Sequence, residues 1–426
     1  MTKIKKEINE QLLDFIDRGV TSFHVIENMK EMLLHEGYIR LYEEQNSANT
    51  DLIPGGRYFI IRNDSALIAF SLPKDEIKGF HIAASHSDSP CFKLKEQPEI
   101  TVENQYRKLN VEKYGGMILS TWLDRPLGVA GRVIVKEENK FVSKLVDLGP
   151  DFCVIPNLSI HFNREINKGY EYNPQVDMQP LFSGDGNCSI EKKIAEMINK
   201  QPSEILGSDL YLYQGEKGRS FGADKEYLLA PRLDDLQCVF TTMEGFLQST
   251  PKDYTNVLAV FDNEEVGSRT RQGADSDFLK NVLKRIADAY PKKDLAALFA
   301  DSFLISADNA HGLHPNHPEK SDVSNHPFLN QGIVLKFHGS AQYTTDGYSA
   351  AVIRDLCSRA GITVQTFTNR SDVAGGSTLG NIAVSQESIP AADIGIAQLS
   401  MHSAMETAGA QDTEDMIKLI TEFMNE

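Results

Sequence analysis

Near the middle of this 426-residue chain an apolar run, Val257-Leu258-Ala259-Val260-Phe261, stops at Asp262-Asn263-Glu264-Glu265-Val266-Gly267-Ser268. Two adjacent carboxylates therefore stand where a strand would end. Neighbouring side chains leave an extended backbone in opposite directions. One carboxylate can hold a cation while the other takes a proton from a metal-bound water, the division of labour that metal-assisted hydrolysis requires. Paired glutamates are also common on solvated loops, so the reading depends on finding the remaining ligands.

Further oxygen and nitrogen donors follow other apolar runs. His86 comes directly after Gly79-Phe80-His81-Ile82-Ala83-Ala84-Ser85, and Asp88, two residues on, can accept the second imidazole N–H and fix the tautomer. Asp234 and Asp235 lie in Pro231-Arg232-Leu233-Asp234-Asp235-Leu236, where a helix would open. A carboxylate there can bridge two cations with its two oxygens or simply cap the helix. Asp308 ends the run Phe303-Leu304-Ile305-Ser306-Ala307, and His402 follows Ile396-Ala397-Gln398-Leu399-Ser400-Met401. His311, His314 and His317 are spaced closely but interrupted by Pro315, and read as a loop outside the ligand set. One bridging Asp with two His, one Glu and one further Asp makes a full set for two zinc-type ions. Without thiolate, each ion stays Lewis acidic and open to water.

The elements that must position these residues show in the hydrophobic pattern. Ser22 is placed to cap a helix with Phe23, Ile26, Met29, Met32 and Leu33 on one face and Gly37 at its end. Strands are expected at 57–61, 66–70 and 79–84. From about 98 to 222 the texture becomes strand-like with many turns, and only 191–200 reads as helix, so this stretch is expected to be a mainly β insert. After Pro231, helices near 235–248, 276–290, 346–360 and 411–425 alternate with strands near 256–261, 302–307, 332–338, 363–368 and 392–399. That alternation implies a layered α/β core with ligands at strand ends.

Composition narrows the function classes. With 41% hydrophobic and 24% charged residues the chain is ordinary globular protein. A formal net charge of -17 disfavours nucleic acid. No apolar run is long enough to cross a bilayer and the start has no signal-peptide core, which reads as cytoplasmic. Five scattered cysteines, Cys91, Cys153, Cys188, Cys238 and Cys357, are expected to be reduced.

With these motifs in place, the chain resembles the aspartyl aminopeptidase family of dinuclear zinc exopeptidases. The resemblance rests on Ala84-Ser85-His86-Ser87-Asp88-Ser89-Pro90, Trp122-Leu123-Asp124-Arg125, Pro156-Asn157-Leu158-Ser159-Ile160-His161-Phe162-Asn163-Arg164, Ala230-Pro231-Arg232-Leu233-Asp234, the Asp262–Ser268 run and Ser400-Met401-His402-Ser403. It implies one metal on His86, Asp234 and Asp308 and another on Asp234, Glu265 and His402, with Glu264 as general base and Asp88 behind His86. The metals would be zinc, with cobalt or manganese as alternatives. It further implies a catalytic domain formed by 1–97 and 223–426, and a β dimerisation domain at 98–222 whose dimers assemble into a tetrahedral dodecamer. His161 would act in a neighbouring subunit's site, Lys336 would receive an acidic substrate side chain, and Tyr343 would contact substrate. The implied substrates are peptides with a free N-terminal Asp or Glu. The chain departs from the family pattern at Ala374-Gly375, where a cysteine-glycine pair is usual, and this bears on the strictness of the acidic preference. The rivals are an aminopeptidase of broad or neutral specificity, an N-acyl amino acid deacylase or carboxypeptidase on the same scaffold, and a protein whose metals are purely structural.

Overall fold

The computed structural model describes residues 3–44, 52–290 and 294–426. These divide into two compact units. The first comprises Met1–Asp88, Gly218–Met401 and Glu406–Glu426, and the second Ser89–Lys217 with the short stretch His402–Met405. The insert expected at 98–222 compares with a second unit that starts nearer residue 89, because Cys91–Val102 is one continuous strand of that unit's sheet.

The first unit is built on a nine-stranded sheet. Its spatial order is Ile39–Leu41, Arg57–Arg62, Ala66–Ser71, Tyr254–Phe261, Gly79–His86, Phe303–Ala307, Ala391–Gly395, Ile333–Lys336, Val364–Phe367. The four strands in the middle, from Tyr254–Phe261 to Ala391–Gly395, are mutually parallel. Buried parallel strands need apolar residues on both faces. The alternation shows this directly: Phe80, Ile82, Ala84, Val257, Ala259 and Phe261 enter one core, whereas Ala83, Leu258 and Val260 enter the other. Each such Leu, Val or Phe contributes about 1.5–3 kcal/mol by leaving water.

Helices Leu233–Gln248, Gly347–Ala360 and Asp412–Met424 supply apolar residues to one core, and Phe278–Asp288 and Leu379–Glu387 to the other. The first unit also carries a five-stranded sheet, in which Tyr227–Ala230, Glu406–Gly409, Ala397–Leu399 and Ala310–His311 are successive neighbours. The second unit is an antiparallel six-stranded sheet packed on its own core around Phe92, Trp122, Leu127 and Ile155.

Several expectations need correction. Ser22 is the first residue of its helix rather than the cap; Thr21 occupies the cap position, with its hydroxyl against His24 Nδ1 at 2.8 Å. The single strand expected at 392–399 is two, Ala391–Gly395 in the large sheet and Ala397–Leu399 in the small one. The chain changes sheets at Ile396, beside a close approach to Asp308: a Cβ on Gly395 would lie 2.1 Å from the Asp308 carbonyl oxygen. The helix Leu379–Glu387 was not expected, since Gly380 and Asn381 dilute its helical signal.

Candidate metal centre

Parallel register brings the chemistry together. Phe261 pairs with His86 and Ser306 with Ala84, so three adjacent strands finish at one edge and deliver His86, the Asp262–Ser268 turn and Asp308 side by side. Ligands in open α/β sheets bind at this carboxyl edge. Asp234 and Asp235 arrive from the start of the Leu233–Gln248 helix, joined by a cis peptide and both outside helical geometry.

Local backbone geometry shapes the two turns that carry Asp234 and the paired glutamates. Arg232 and Asn263 both take left-handed conformations, with φ of 57° and 63°. Such conformations in non-glycine residues concentrate at functional turns. The Asn263 side-chain oxygen accepts hydrogen bonds from Thr270 Oγ1 at 2.8 Å and Gln272 Nε2 at 2.7 Å, which pins the turn carrying Glu264 and Glu265.

The donor atoms converge. His86, Asp234, Asp235 and Asp308 each offer a ligand atom within 4.8 Å of the others, and so do His86, Glu264 and Glu265. His86 is fully buried and points Nε2 at Asp234 Oδ1, 3.6 Å away. Its Nδ1 lies 3.1 Å from the Asp88 carbonyl oxygen and 3.4 Å from Oδ1. With a metal on Nε2, these contacts would hold the imidazole proton on Nδ1. The Asp88 carboxylate accepts the backbone N–H of Glu264 at 3.1 Å and of Glu265 at 3.2 Å. One side chain thus supports both the imidazole and the paired-glutamate turn.

The electrostatics suit a bound cation. Burial pushes Glu264 up to about 8; His86 opposes this, and Asp308, Asp88 and Asp234 reinforce it. Burial and Asp234 hold Glu265 well above the ordinary carboxylate range. Asp235 and Asp308 are raised by burial too, against the pull of His86 and Lys336 respectively. Burial alone would lower His86, but Asp235, Asp234 and Asp88 raise it well above the usual histidine value. Clustered buried carboxylates repel one another, and divalent cations relieve that repulsion. The oxygen and imidazole donors fit zinc-type ions. The nearby Cys238 thiol donates to Asn309 Oδ1 at 3.3 Å, and burial, reinforced by Asp235, holds it well above the usual thiol value.

The remaining expected residues are placed as follows. Lys336 is 2% exposed, with Nζ 3.0 Å from the Asn309 carbonyl oxygen and 3.6 Å from Asp308 Oδ2. It also stands over the Tyr343 ring, 5.5 Å from the centroid. Tyr343 is buried with Val334 and Phe367. His402 belongs to the second unit, where its carbonyl oxygen accepts the Ile118 N–H at 3.0 Å and its φ is 65°. His161 is in an exposed loop of that unit, flanked by exposed Ile160 and Phe162. Its loop is anchored by Asp124, which accepts the Asn157 N–H at 2.9 Å and Nδ2 at 2.7 Å. His311 and His317 are exposed, and His317 turns to Glu319, 3.3 Å away.

Sequence reasoning missed Glu406 and Asn309. Glu406 Oε2 accepts the Asp234 N–H at 3.0 Å. Asn309 Nδ2 donates to the Leu233 carbonyl at 2.9 Å and to Gln398 Oε1 at 3.0 Å, fixing the Asp308 segment to the start of the Asp234 helix. For Asn309 the signal was a polar residue next to Asp308 at the end of an apolar run, and Glu406 offered none.

Comparison with known proteins gives consistent results. The model of the aminopeptidase I zinc metalloprotease (M18) family matches residues 15–424. A probable M18 family aminopeptidase 2 of Clostridium novyi (strain NT) is 44% identical over 434 residues, covering 99% of this chain and 100% of the relative. Among solved structures, a chain of the Ape4 and Nbr1 complex matches with a TM-score of 0.95 at 32% identity, covering 99% of this chain and 86% of that one. A chain of the S. cerevisiae mApe1 dodecamer matches at 0.86 and 31% identity, covering 99% of this chain and 97% of its counterpart.

Proposed function

The chain belongs to the aminopeptidase I zinc metalloprotease (M18) family, and on that premise we propose that it releases single N-terminal Asp or Glu residues from peptides with a free amino group, using two divalent ions. The observation that carries this reading is the convergence of His86, Asp234, Asp308, Glu264 and Glu265 on one sheet edge, with Asp88 bracing both His86 and the glutamate turn. One ion would be held by His86, Asp234 and Asp308 and the other by Asp234, Glu265 and His402, Asp234 being common to both sets. Zinc is the first choice, and cobalt or manganese suit the same donors.

When bound, the ions polarise the scissile carbonyl and make water acidic enough to act near neutral pH. The chain's own groups do the rest. Glu264 accepts the proton of the attacking water on its carboxylate and returns it to the departing amine nitrogen. Asp88 keeps the His86 Nδ1 proton in place and so keeps Nε2 turned to the site. The exposed position of His161 supports its role as a donor to the oxyanion in a neighbouring subunit, within an assembly of the kind seen for the mApe1 dodecamer. Among the described residues no helix is long and apolar enough to cross a membrane, and we assign the enzyme to the cytoplasm.

Lys336 and Tyr343 support the acidic preference, as a buried cation and an aromatic face on the Asp308 side of the site. A second reading, broad or neutral specificity, is favoured by one observation: the Lys336 ammonium already has Asp308 and the Asn309 carbonyl as partners. A matched peptide panel beginning with Asp, Glu, Leu, Lys and acetyl-Asp separates these readings. Cleavage of free Asp and Glu with acetyl-Asp spared is the expected result. Preference for Leu or Lys removes Lys336 from substrate recognition, and cleavage of acetyl-Asp alone would mean a deacylase.

A further inference from the structure

Asp393 lies in the Ala391–Gly395 strand, wholly buried, in register with Ser306 of the strand that ends at Asp308. Its carboxylate meets neutral donors from two separate loops. Oδ2 accepts the Thr344 backbone N–H at 2.5 Å and the Thr344 hydroxyl at 2.8 Å. Oδ1 accepts the Thr378 hydroxyl at 2.6 Å. The Asp393 N–H in turn donates to Thr345 Oγ1 at 2.9 Å.

These partners lie on the Lys336 and Tyr343 side of the site. Thr344 follows Tyr343 in the loop leaving the Ile333–Lys336 strand. Thr378 ends the loop that leaves the Val364–Phe367 strand and stands immediately before the Leu379–Glu387 helix, its hydroxyl turned to Asp393 rather than to the helix. That helix presents Gly380 to the carboxylate, where a Cβ would lie 2.6 Å from Oδ1, so nothing larger fits. The negative charge also acts on Lys336 and Tyr343. Only a carboxylate offers acceptors on both oxygens; an amide would turn an NH2 group towards donors on one side.

We propose that Asp393 is a positioning residue that ties the 337–346 and 368–378 loops together and thereby sets how tightly the first side chain of the substrate is held. The inference rests on the aminopeptidase reading of the same site. Asp393 touches no substrate atom; it acts through Thr344 and Thr378, so its loss acts on binding more than on chemistry.

The test is steady-state kinetics of the metal-loaded full chain, with Asp393→Asn, Thr378→Val and Thr378→Ser beside the unaltered protein, on peptides beginning with Asp and with Leu. Metal content is measured in each. Asp393→Asn is expected to raise KM for the preferred peptide about ten-fold with kcat within about three-fold and metal content unchanged, the signature of lost uniform binding. Thr378→Val should give a smaller rise in the same direction, and Thr378→Ser should restore the original KM. Unchanged KM, or a fall in kcat accompanied by metal loss, overturns the proposal. If Asp393→Asn does not fold, the Thr378 pair decides alone. Should the unaltered protein release no N-terminal residue from any peptide, the aminopeptidase reading fails and takes this inference with it; activity in the unaltered protein with unaltered kinetics in the variants sinks the inference only.

Discussion

Asp88 serves two partners with one carboxylate: the imidazole of His86 and the backbone N–H groups of Glu264 and Glu265. Removing its charge should loosen ligand and base together. Asp88→Asn is therefore expected to weaken metal binding roughly 10–100-fold, as partners behind a ligating histidine typically do, measured by competition with a chromogenic chelator. Affinity and turnover both unchanged would leave Asp88 without this role. His86, Glu264, Glu265 and Asp308 were legible in the sequence because each closes an apolar run at the end of a parallel strand. Asp234 and Asp235 were both legible where a helix opens, but Asn309 and Asp393 were not. Their importance comes from partners far away in sequence, and a single buried polar residue carries no periodic signal. Lys336 shows the same limit: the sequence shows a cation at the end of an apolar strand, while its pairing with Asp308 is a contact between strands.

Among the elements, the strands that converge on the site were read correctly because both-face burial gives continuous apolar runs such as Val257–Phe261. The split at Ile396 and the Leu379–Glu387 helix escaped for opposite reasons. The run Ile394-Gly395-Ile396-Ala397 has no proline or polar break to mark the change of sheet, and glycine with asparagine hides a short helix held by packing. Within the Gly79–His86 strand, His81 stacks on Tyr254 with centroids 4.0 Å apart and also meets Phe423. Burial lowers it to about 4. A folded-state value below the unfolded one means that the unfolded chain takes up the proton first as pH falls. Its contribution is therefore complete above about 6.5 and is lost as pH drops towards 4, amounting to roughly 3 kcal/mol. Denaturant melts between pH 7 and 4.5 should show a shallower decline for His81→Phe than for the native residue. Parallel pH profiles would exclude His81 as a source of the acid sensitivity.

For the whole molecule, the exposed apolar residues of the 156–163 loop stand out. Phe162 is 81% exposed, and Leu158 and Ile160 are more than half exposed. Large apolar side chains exposed together on one loop make it a candidate interaction surface. Phe162→Asp is expected to reduce the particle mass in light scattering and, with it, activity per chain. His161→Ala should leave the mass intact and lower turnover alone. Full activity per chain in dissociated protein would rule out a contribution of His161 across subunits. The change of sequence texture falls near residues 98 and 222, whereas the compact units divide after Asp88 and after Lys217, and the inclusion of His402–Met405 in the second unit had no sequence signal, since only tertiary contacts define it. The central claim, that this edge of the sheet is a dinuclear hydrolytic centre with Glu264 as base, is tested most directly by titrating zinc into chelator-stripped protein while following free amino acid released from an Asp-initiated peptide. The account expects no release without metal, saturation at two equivalents per chain, and a Glu264→Gln variant that binds the same two equivalents yet loses on the order of a thousand-fold or more in turnover. Release that survives stripping, or a Glu264→Gln variant that turns over at near-native rate, would contradict it.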